Sequence, residues 1–509
     1  MARNNLLINV EIGETRVALV ENGILAEFYV ERTQDRSPVG NIYLGKVTRV
    51  LPGMQAAFVD IGLERAAFLH VEDVIPTHDV EKIASIDGAD EERDDDEHPS
   101  KMRKLTRKTP IRDVLKEGQS IVVQVSKEPI GTKGARVTGH VSIPGRYAVY
   151  LPTVDQIGVS KRIGNDKERR RLKEVIESAK PPQGGLIVRT VAAGLTKKKL
   201  KADISYLVNV WTDTMKKREH TKEGPALLYR ELDIVLRACR DLFIDEVDKV
   251  IVDNAEQYQR IVSFIHSFMP ERVHCIEQYR GTDPMFDEYG IEDEISRALA
   301  RKVPLPSGGY LILDQAEALT AIDVNTGRFT GKGKDVEETI FQTNLEAVRE
   351  IAYQLRFRNI GGLIVVDFID MERASHREKV FREFLEVLKH DKAKTTAVRI
   401  SELGLVEMTR KRTRDSLGRT LFEPCFYCDG TGHLMSKVTI CHEILRQITR
   451  ERDSLPGYKI IVNAHPAICD RMQREEKEFV EEASNRFTRQ IVFQPRRDYH
   501  LEQFDLAGA

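Results

Sequence analysis

The segment 308–370 limits what this chain can fold into more than any other. Residues 310–313 and 319–324 are two apolar runs around the polar turn Asp314-Gln315-Ala316-Glu317, the pattern of a β-hairpin whose second strand ends on Asp323. Asn325-Thr326-Gly327 then turns the chain, and Asp335 with Glu338 three residues later opens a helix in the manner of a capping box. Val336, Ile340, Val348, Ile351 and Leu355 recur along it at helical spacing. Gly361-Gly362 ends the segment, and the unbroken apolar run 363–366, of the kind parallel sheets bury, closes on Asp367. Such a strand–helix–strand unit brings Asp323 and Asp367 to the carboxyl ends of strands, where open α/β sheets bind ligands. A hard cation such as Mg²⁺ needs only one or two carboxylates, with water and substrate phosphate completing its shell. Strand-end aspartates also cap turns, and the spacing alone admits that reading too.

At 509 residues the chain is long enough for several domains, each with its own core. A net charge of −2 with 31% charged residues means that any surface for nucleic acid must be local. Candidate basic runs are 167–173, 197–201 and 410–414, and the last carries most weight because it lies between the aspartates and the paired cysteines. No run of about 18 apolar residues occurs, so a membrane span is not expected. Six cysteines, mostly isolated, suit a reducing cytoplasm better than a disulfide scaffold. Only Cys425 and Cys428 are paired by spacing, in a C-x-x-C knuckle followed by Gly430 and Gly432. They supply two of the four ligands of tetrahedral zinc. Either Cys441, His442 or His433 completes the set, or two chains each donate a pair; a redox C-x-x-C lacks the thioredoxin-like context around it.

Elsewhere, 6–10, 15–20 and 24–30 read as a three-stranded meander, and 226–242, 247–252 and 256–268 as helix, strand and helix. Between them, 42–47, 56–60, 67–70, 120–125 and 135–138 are short strands that fit an OB-type barrel. The stretch 87–100 is acidic and poor in apolar residues, the composition of a disordered loop.

Three motifs carry a family resemblance: Ala321-Ile322-Asp323-Val324-Asn325, Thr343-Asn344-Leu345-Glu346-Ala347, and the run from Gly361 to Met371 ending in Asp367-Phe368-Ile369-Asp370-Met371. They closely resemble the catalytic core of the ribonuclease E/G family. That resemblance implies that Asp323 and Asp367 hold a catalytic Mg²⁺, that Asn325 orients them, and that Asp370 is a nearby structural acid. The stretch 40–74 resembles the family's RNA-binding barrel. It makes Phe58 and Phe68 stacking platforms for unpaired bases and Lys133 a phosphate contact, although a Phe on a strand read blindly is more often core. The segment 140–221 resembles a 5′-phosphate sensor in which Arg189 and Thr190 are ligands and Gly145 and Val149 are backbone contributors. An arginine fork beside a hydroxyl suits a terminal monophosphate. Lys394 stands where relatives can carry an arginine supporting this pocket. For Cys425 and Cys428 the resemblance implies a zinc shared between two chains, with Phe426 in place of a frequent proline.

The fold class implied is multidomain α+β. The first part of an RNase H-like subdomain (1–38) precedes an OB-type barrel (39–139) with an acidic insert at about 77–107, and a 5′-phosphate sensor (140–234). The second part of the RNase H-like subdomain (235–298), a DNase I-like catalytic subdomain (299–420), a zinc-link (421–435) and a small C-terminal dimerisation domain (436–509) follow. The activity implied is cleavage of single-stranded RNA by Mg²⁺-dependent hydrolysis, leaving 5′-phosphate and 3′-hydroxyl ends. It would act in ribosomal RNA maturation and mRNA decay, by a cytoplasmic homodimer or tetramer without a scaffold tail. The rival is a non-catalytic RNA-binding protein, which would have no need of both acids and Asn325 at strand ends.

Overall fold

The computed structural model describes residues 4–34, 36–75, 109–129, 134–327, 336–401, 403–412 and 414–509, without the side chains of Phe268 and Ala298. Lys133, the acidic insert and Asp335 lie outside them. The chain divides into two compact units, Met1–Leu417 and Gly418–Ala509.

In the first unit β1 (Asn5–Glu11), β2 (Glu14–Glu21) and β3 (Ile24–Arg32) form the expected antiparallel meander. Asn22 and Gly23 both have positive φ, the backbone that a tight hairpin between twisted strands requires. Then come β4 (Ile42–Leu51), β5 (Ala56–Asp60), β6 (Ala67–His70), β7 (Ser120–Lys127) and β8 (Arg136–Thr138). β4 pairs with both β5 and β7, so the order β4-β5-β6-β8-β7 returns on itself as a closed barrel of OB type. Its interior is filled by small and branched side chains, among them Val47, Ala57, Val59, Ala67, Leu69, Val125 and Val137.

A second sheet joins β9 (Ile143–Pro144), β10 (Ala148–Leu151), β11 (Ile157–Val159) and β12 (Gly185–Val188). Helices α1 (Asp166–Glu177) and α2 (Lys197–His220) bury Leu172, Ile176, Leu200, Ile204, Leu207 and Trp211 in its core. Residues 226–242 depart from the single helix expected of them. They form a strand, β13 (Ala226–Tyr229), laid antiparallel on β4, and a helix, α3 (Ile234–Asp241). The Asp233 carboxylate accepts from the Leu236 N–H and starts that helix anew. β14 (Lys249–Val252) lies parallel to β1 and β15 (Ile276–Gln278) parallel to β14, so these strands and the meander share one sheet, β15-β14-β1-β2-β3. Ile234, Val235 and Ala238 of α3, with Ile261 and Ile265 of α4 (Ala255–Phe268), pack on it.

The last sheet of the unit contains β16 (Lys302–Pro304), β17 (Tyr310–Gln315), β18 (Leu319–Asn325), β19 (Gly362–Asp367), β20 (Thr395–Ala397) and β21 (Leu405–Arg410), in the order β16-β17-β18-β19-β21-β20. Its one parallel pair is β18–β19, bridged by the crossover helix α5 (Val336–Phe357) and followed by α6 (Ala374–Leu388). Ile322, Val324, Ile364 and Val366 meet Ala347, Val348, Ile351, Leu355, Val380 and Phe384 in the core beneath. The apolar run 363–366 is buried on that face alone: Leu363 is 44% exposed, because it points away from the helices. Val336, the first residue of the expected stripe, is also exposed.

In the second unit α7 (Lys437–Glu451), α8 (Pro466–Arg474) and α9 (Lys477–Phe487) accompany the strands β22 (Lys459–Ala464), β23 (Gln490–Pro495) and β24 (Phe504–Gly508), ordered β23-β22-β24. Ile440, Ile444, Ile448, Ile460, Val462, Ile468 and Met472 form its core. Among the described residues no helix is long and apolar enough to cross a membrane. The architecture is thus mixed α+β and multidomain, with an OB-type barrel near its start.

Candidate functional site

Side chains alternate across a strand, so burying Ile322, Val324 and Val366 forces Asp323 and Asp367 onto the opposite, open face. The two aspartates are register partners across the parallel pair. Neighbouring strands lie roughly 4.8 Å apart, close enough for one cation to touch both carboxylates. Asn325 Nδ2 donates to Asp323 Oδ2 at 2.8 Å, fixing one oxygen and leaving the other unengaged by it. The Asp367 carboxyl titrates above its ordinary value, through partial burial first and then the charges of Asp323 and Asp370. Like charges held at such close quarters are what a bound cation relieves. Among the described residues no three His, Cys, Asp or Glu side chains form a ready metal-binding group, so a Mg²⁺ here would complete its shell with water and phosphate oxygens.

The loop after Asp367 is pinned from α5. Asn344, fully buried, donates from Nδ2 to the Ile369 carbonyl at 2.8 Å and accepts from the Ile369 N–H at 3.2 Å. The Glu337 carboxylate accepts from the N–H groups of Glu372 and Arg373 and faces His376 Nδ1 at 2.9 Å. Gly404 adopts φ +78° beside this loop, where a Cβ would stand 2.9 Å from Asp370 Oδ1. A cavity of about 300 Å³ opens between Phe368–Met371, Arg377, Ile400, Ser401 and Gly404. Sequence reasoning assigned no role to Asn344, Glu337 or Arg377; the signal was a buried-face asparagine inside an apolar helical stripe.

On the barrel, Phe58 and Phe68 are register partners of β5 and β6, with ring centroids 6.3 Å apart and planes at 72°. Their strand neighbours Ala57, Val59, Ala67 and Leu69 fill the interior, so both rings lie on the outer face. Of the basic run 410–414, Arg410 is 4% exposed and pairs with Asp391 at 2.6 Å, while the Arg414 guanidinium lies 3.6 Å from the Tyr29 ring centre. These two cations turn inward and hold elements together, which charge spacing in the sequence does not reveal.

In the second sheet Arg189 follows β12 directly, and its Nη1 donates to the Gly145 carbonyl at 2.6 Å and to Asp241 Oδ1 at 2.7 Å. The Thr190 and Ser160 hydroxyls are 3.1 Å apart. Buried Asp203 accepts from the N–H groups of Arg146, Tyr147 and Ala148 and so shapes the turn that begins at Gly145. A Cβ on Gly145 would meet the Asp203 carboxylate at 2.7 Å. Val149, in β10, pairs with Ile187 of β12, and exposed Lys394 accepts at its carbonyl from the Lys411 N–H.

In the second unit the Cys425–Cys428 knuckle is tightened by Gly430 N–H on the Cys425 carbonyl and Thr431 N–H on the Cys428 carbonyl. The Gly432 N–H donates to Cys428 Sγ at 3.3 Å, and chiefly through this bond the Cys428 thiol titrates below its ordinary value. Cys441 is fully buried in α7, and burial pushes its thiol up to about 11.

A model of the Ribonuclease E/G family matches residues 142–413. Ribonuclease G of Escherichia coli is 43% identical over 503 residues, 98% of this chain and 99% of that protein. Ribonuclease G of Haemophilus influenzae is 41% identical over 502 residues, 98% of each chain. Ribonuclease E of Haemophilus influenzae is 35% identical over 504 residues, 98% of this chain and 51% of that longer protein. The chain is accordingly an endoribonuclease. It belongs, in particular, to the ribonuclease E/G family, and it is similar to ribonuclease G over nearly its whole length.

Proposed function

We propose that this endoribonuclease cuts single-stranded RNA by Mg²⁺-dependent hydrolysis, leaving 5′-phosphate and 3′-hydroxyl ends, and prefers substrates with a 5′-monophosphate. The observation that carries the reading is the pairing of Asp323 and Asp367 on one exposed sheet face, with Asn325 bonded to the first. These two carboxylates would hold the ion. When bound, Mg²⁺ stabilises charge on the scissile phosphate and lowers the pKa of the attacking water. Asn325 orients Asp323, and Asn344 and Glu337 fix the loop that leaves Asp367. Phe58 and Phe68 offer ring faces on which unpaired bases stack, with Lys133 as a phosphate contact. Arg189 and Thr190, with backbone of Gly145 and Val149 and support from Lys394, receive the terminal phosphate.

The wider reading places this catalysis in a DNase I-like subdomain (299–420), the barrel within a split RNase H-like subdomain, and the sensor at 140–234. The shared sheet of the meander with β14 and β15 supports the split. Cys425 and Cys428 would hold zinc together with the same pair from a second chain, making a cytoplasmic homodimer or a tetramer. Ribosomal RNA 5′-end maturation and mRNA decay are the roles that fit.

The test is single-turnover cleavage beside filter binding for Asp323→Asn and Asp367→Asn. Each variant should lose cleavage at saturating Mg²⁺ and retain RNA affinity, since neither touches the barrel. Cleavage within about tenfold of wild type, only ~1.4 kcal/mol in barrier, would overturn the metal assignment.

A further inference from the structure

We infer that Asp241 is a positioning residue for recognition of the RNA 5′ end: it holds Arg189 so that one edge of the guanidinium is presented to a terminal monophosphate. The inference rests on the sensor reading of Arg189 and Thr190. Both hydrogens of Arg189 Nη1 are committed, one to the Gly145 carbonyl and one to Asp241 Oδ1. Among the described residues the Arg189 guanidinium makes no other hydrogen bond, and the side chain is 30% exposed. The edge left open is Nε–H with Nη2–H, the parallel pair of donors that matches two oxygens of one phosphate.

Asp241 is itself immobilised. Arg240, 8% exposed, grips both its oxygens through Nε at 3.2 Å and Nη2 at 3.0 Å. The Nη1 of Arg240 reaches buried Glu231 at 2.8 Å and the Pro144 carbonyl at 3.0 Å. Arg146, next to Gly145, returns to the end of α3, donating to the carbonyls of Arg240 and Phe243. The end of α3 and the turn at Gly145 are thus interlocked, and Arg189 is clamped to both. Asp241 is also the last residue of α3, where the helix dipole disfavours a carboxylate. An acid kept there against the local preference, and compensated by two arginines, marks a position serving something other than helix stability.

Charge and geometry predict opposite signs. If Asp241 merely neutralised Arg189, removing it would leave the site more cationic and strengthen phosphate recognition. If it positions Arg189, removal frees a long side chain whose immobilisation must then be repaid on binding, a loss of about three- to tenfold. That loss belongs in KM rather than kcat, because the 5′ end lies outside the reacting atoms and contributes uniform binding.

The experiment measures kcat and KM separately on one single-stranded oligonucleotide carrying either a 5′-monophosphate or a 5′-hydroxyl, for the wild type, Arg189→Ala, Asp241→Ala and Asp241→Asn. The expected result is a wild-type monophosphate preference that Arg189→Ala abolishes. Asp241→Ala reduces it about three- to tenfold, through KM, and Asp241→Asn reduces it less, since the amide oxygen still accepts from Nη1. Should Asp241→Ala fold poorly, Asp241→Asn alone decides. An unchanged or increased preference in the Asp241 variants, beside a loss in Arg189→Ala, overturns the inference and leaves the sensor standing. Equal losses on both substrates, with the ratio unaltered, also overturn it. A wild type without any preference removes the sensor reading, and the inference with it.

Discussion

Glu27, on β3, is 7% exposed, yet it is ionised, because three donors surround it. Tyr29 gives its hydroxyl, Arg356 gives Nε at 3.2 Å and Nη2 at 2.8 Å, and Lys392 Nζ stands at 3.0 Å. Burial alone would raise the carboxyl; Lys392 and Arg356 outweigh it, and the net shift is from 4.5 down to about 2. A carboxylate whose folded pKa is depressed contributes stability that is complete above the unfolded value and disappears as pH falls through the folded one. The contribution of Glu27 is therefore whole above pH 4.5 and lost toward pH 2. Glu27→Gln should destabilise the protein at pH 7 by on the order of 2 kcal/mol, read as a lower thermal midpoint, since it removes charge-assisted bonds from Arg356 and Lys392 while Arg356 keeps Glu21. The gap between variant and wild type should narrow steadily between pH 4.5 and the acid limit. Melting curves across that range check this, and a gap independent of pH would mean that the charge of Glu27 is not what holds β3 to α5 and the Lys392 loop.

At the level of elements, α5 does two jobs from two faces. Ala347, Val348, Ile351 and Leu355 cement it under the sheet, while Asn344 and Glu337 reach forward to the loop that leaves Asp367. Asn344→Leu would strip both bonds from the half-buried Ile369 backbone, leaving a donor and an acceptor unpaired at about 1 kcal/mol each. With the loop loosened, kcat should fall roughly tenfold to a hundredfold, by the sensitivity of reactive geometry to small misplacements, while RNA affinity changes little. Single-turnover rates and binding isotherms separate the two; a weakened affinity with an intact rate would assign the loop to binding instead. The alternation in 310–324, the helical spacing from Ile340 to Leu355 and the terminal position of Asp367 are legible in the sequence, because local periodicity encodes them; Asp323, expected to close its strand, is followed by two more residues of β18, which pairs with β17 as far as Asn325. That the two aspartates are register partners is not legible, since register is set by pairing across 44 residues of chain. Nor is the one-sided burial of 363–366, which depends on helices covering a single face. The strand at Ala226–Tyr229 is not legible as such, because no Gly or Pro within 226–242 marks the change of period at Arg230.

For the whole molecule, a net charge of −2 gives no long-range pull on RNA, so affinity must be local; on the proposed reading the paired rings of the barrel and the open edge of Arg189 would supply it. Avidity from a second chain would then matter, and the cysteine knuckle is the feature best suited to supply it. One chain offers two thiols there, with Cys428 predisposed to ionise by the Gly432 N–H. Cys441 lies in the core of its unit with its thiol pushed up to about 11, an unfavourable third ligand; Cys469 is buried in the same core. Tetrahedral zinc needs four ligands, and on the proposed reading two knuckles would provide them. Purified protein should therefore carry close to one zinc for every two chains. Cys425→Ser or Cys428→Ser should lose most of that metal and fall to a lower oligomeric state, because a mixed site of two thiolates and two hydroxyls binds zinc weakly. Metal analysis together with light scattering reads both quantities on the same sample. One zinc per chain in a protein that keeps its oligomeric state after Cys428→Ser would locate the metal within a single chain, with His433 or His442 as the remaining donors.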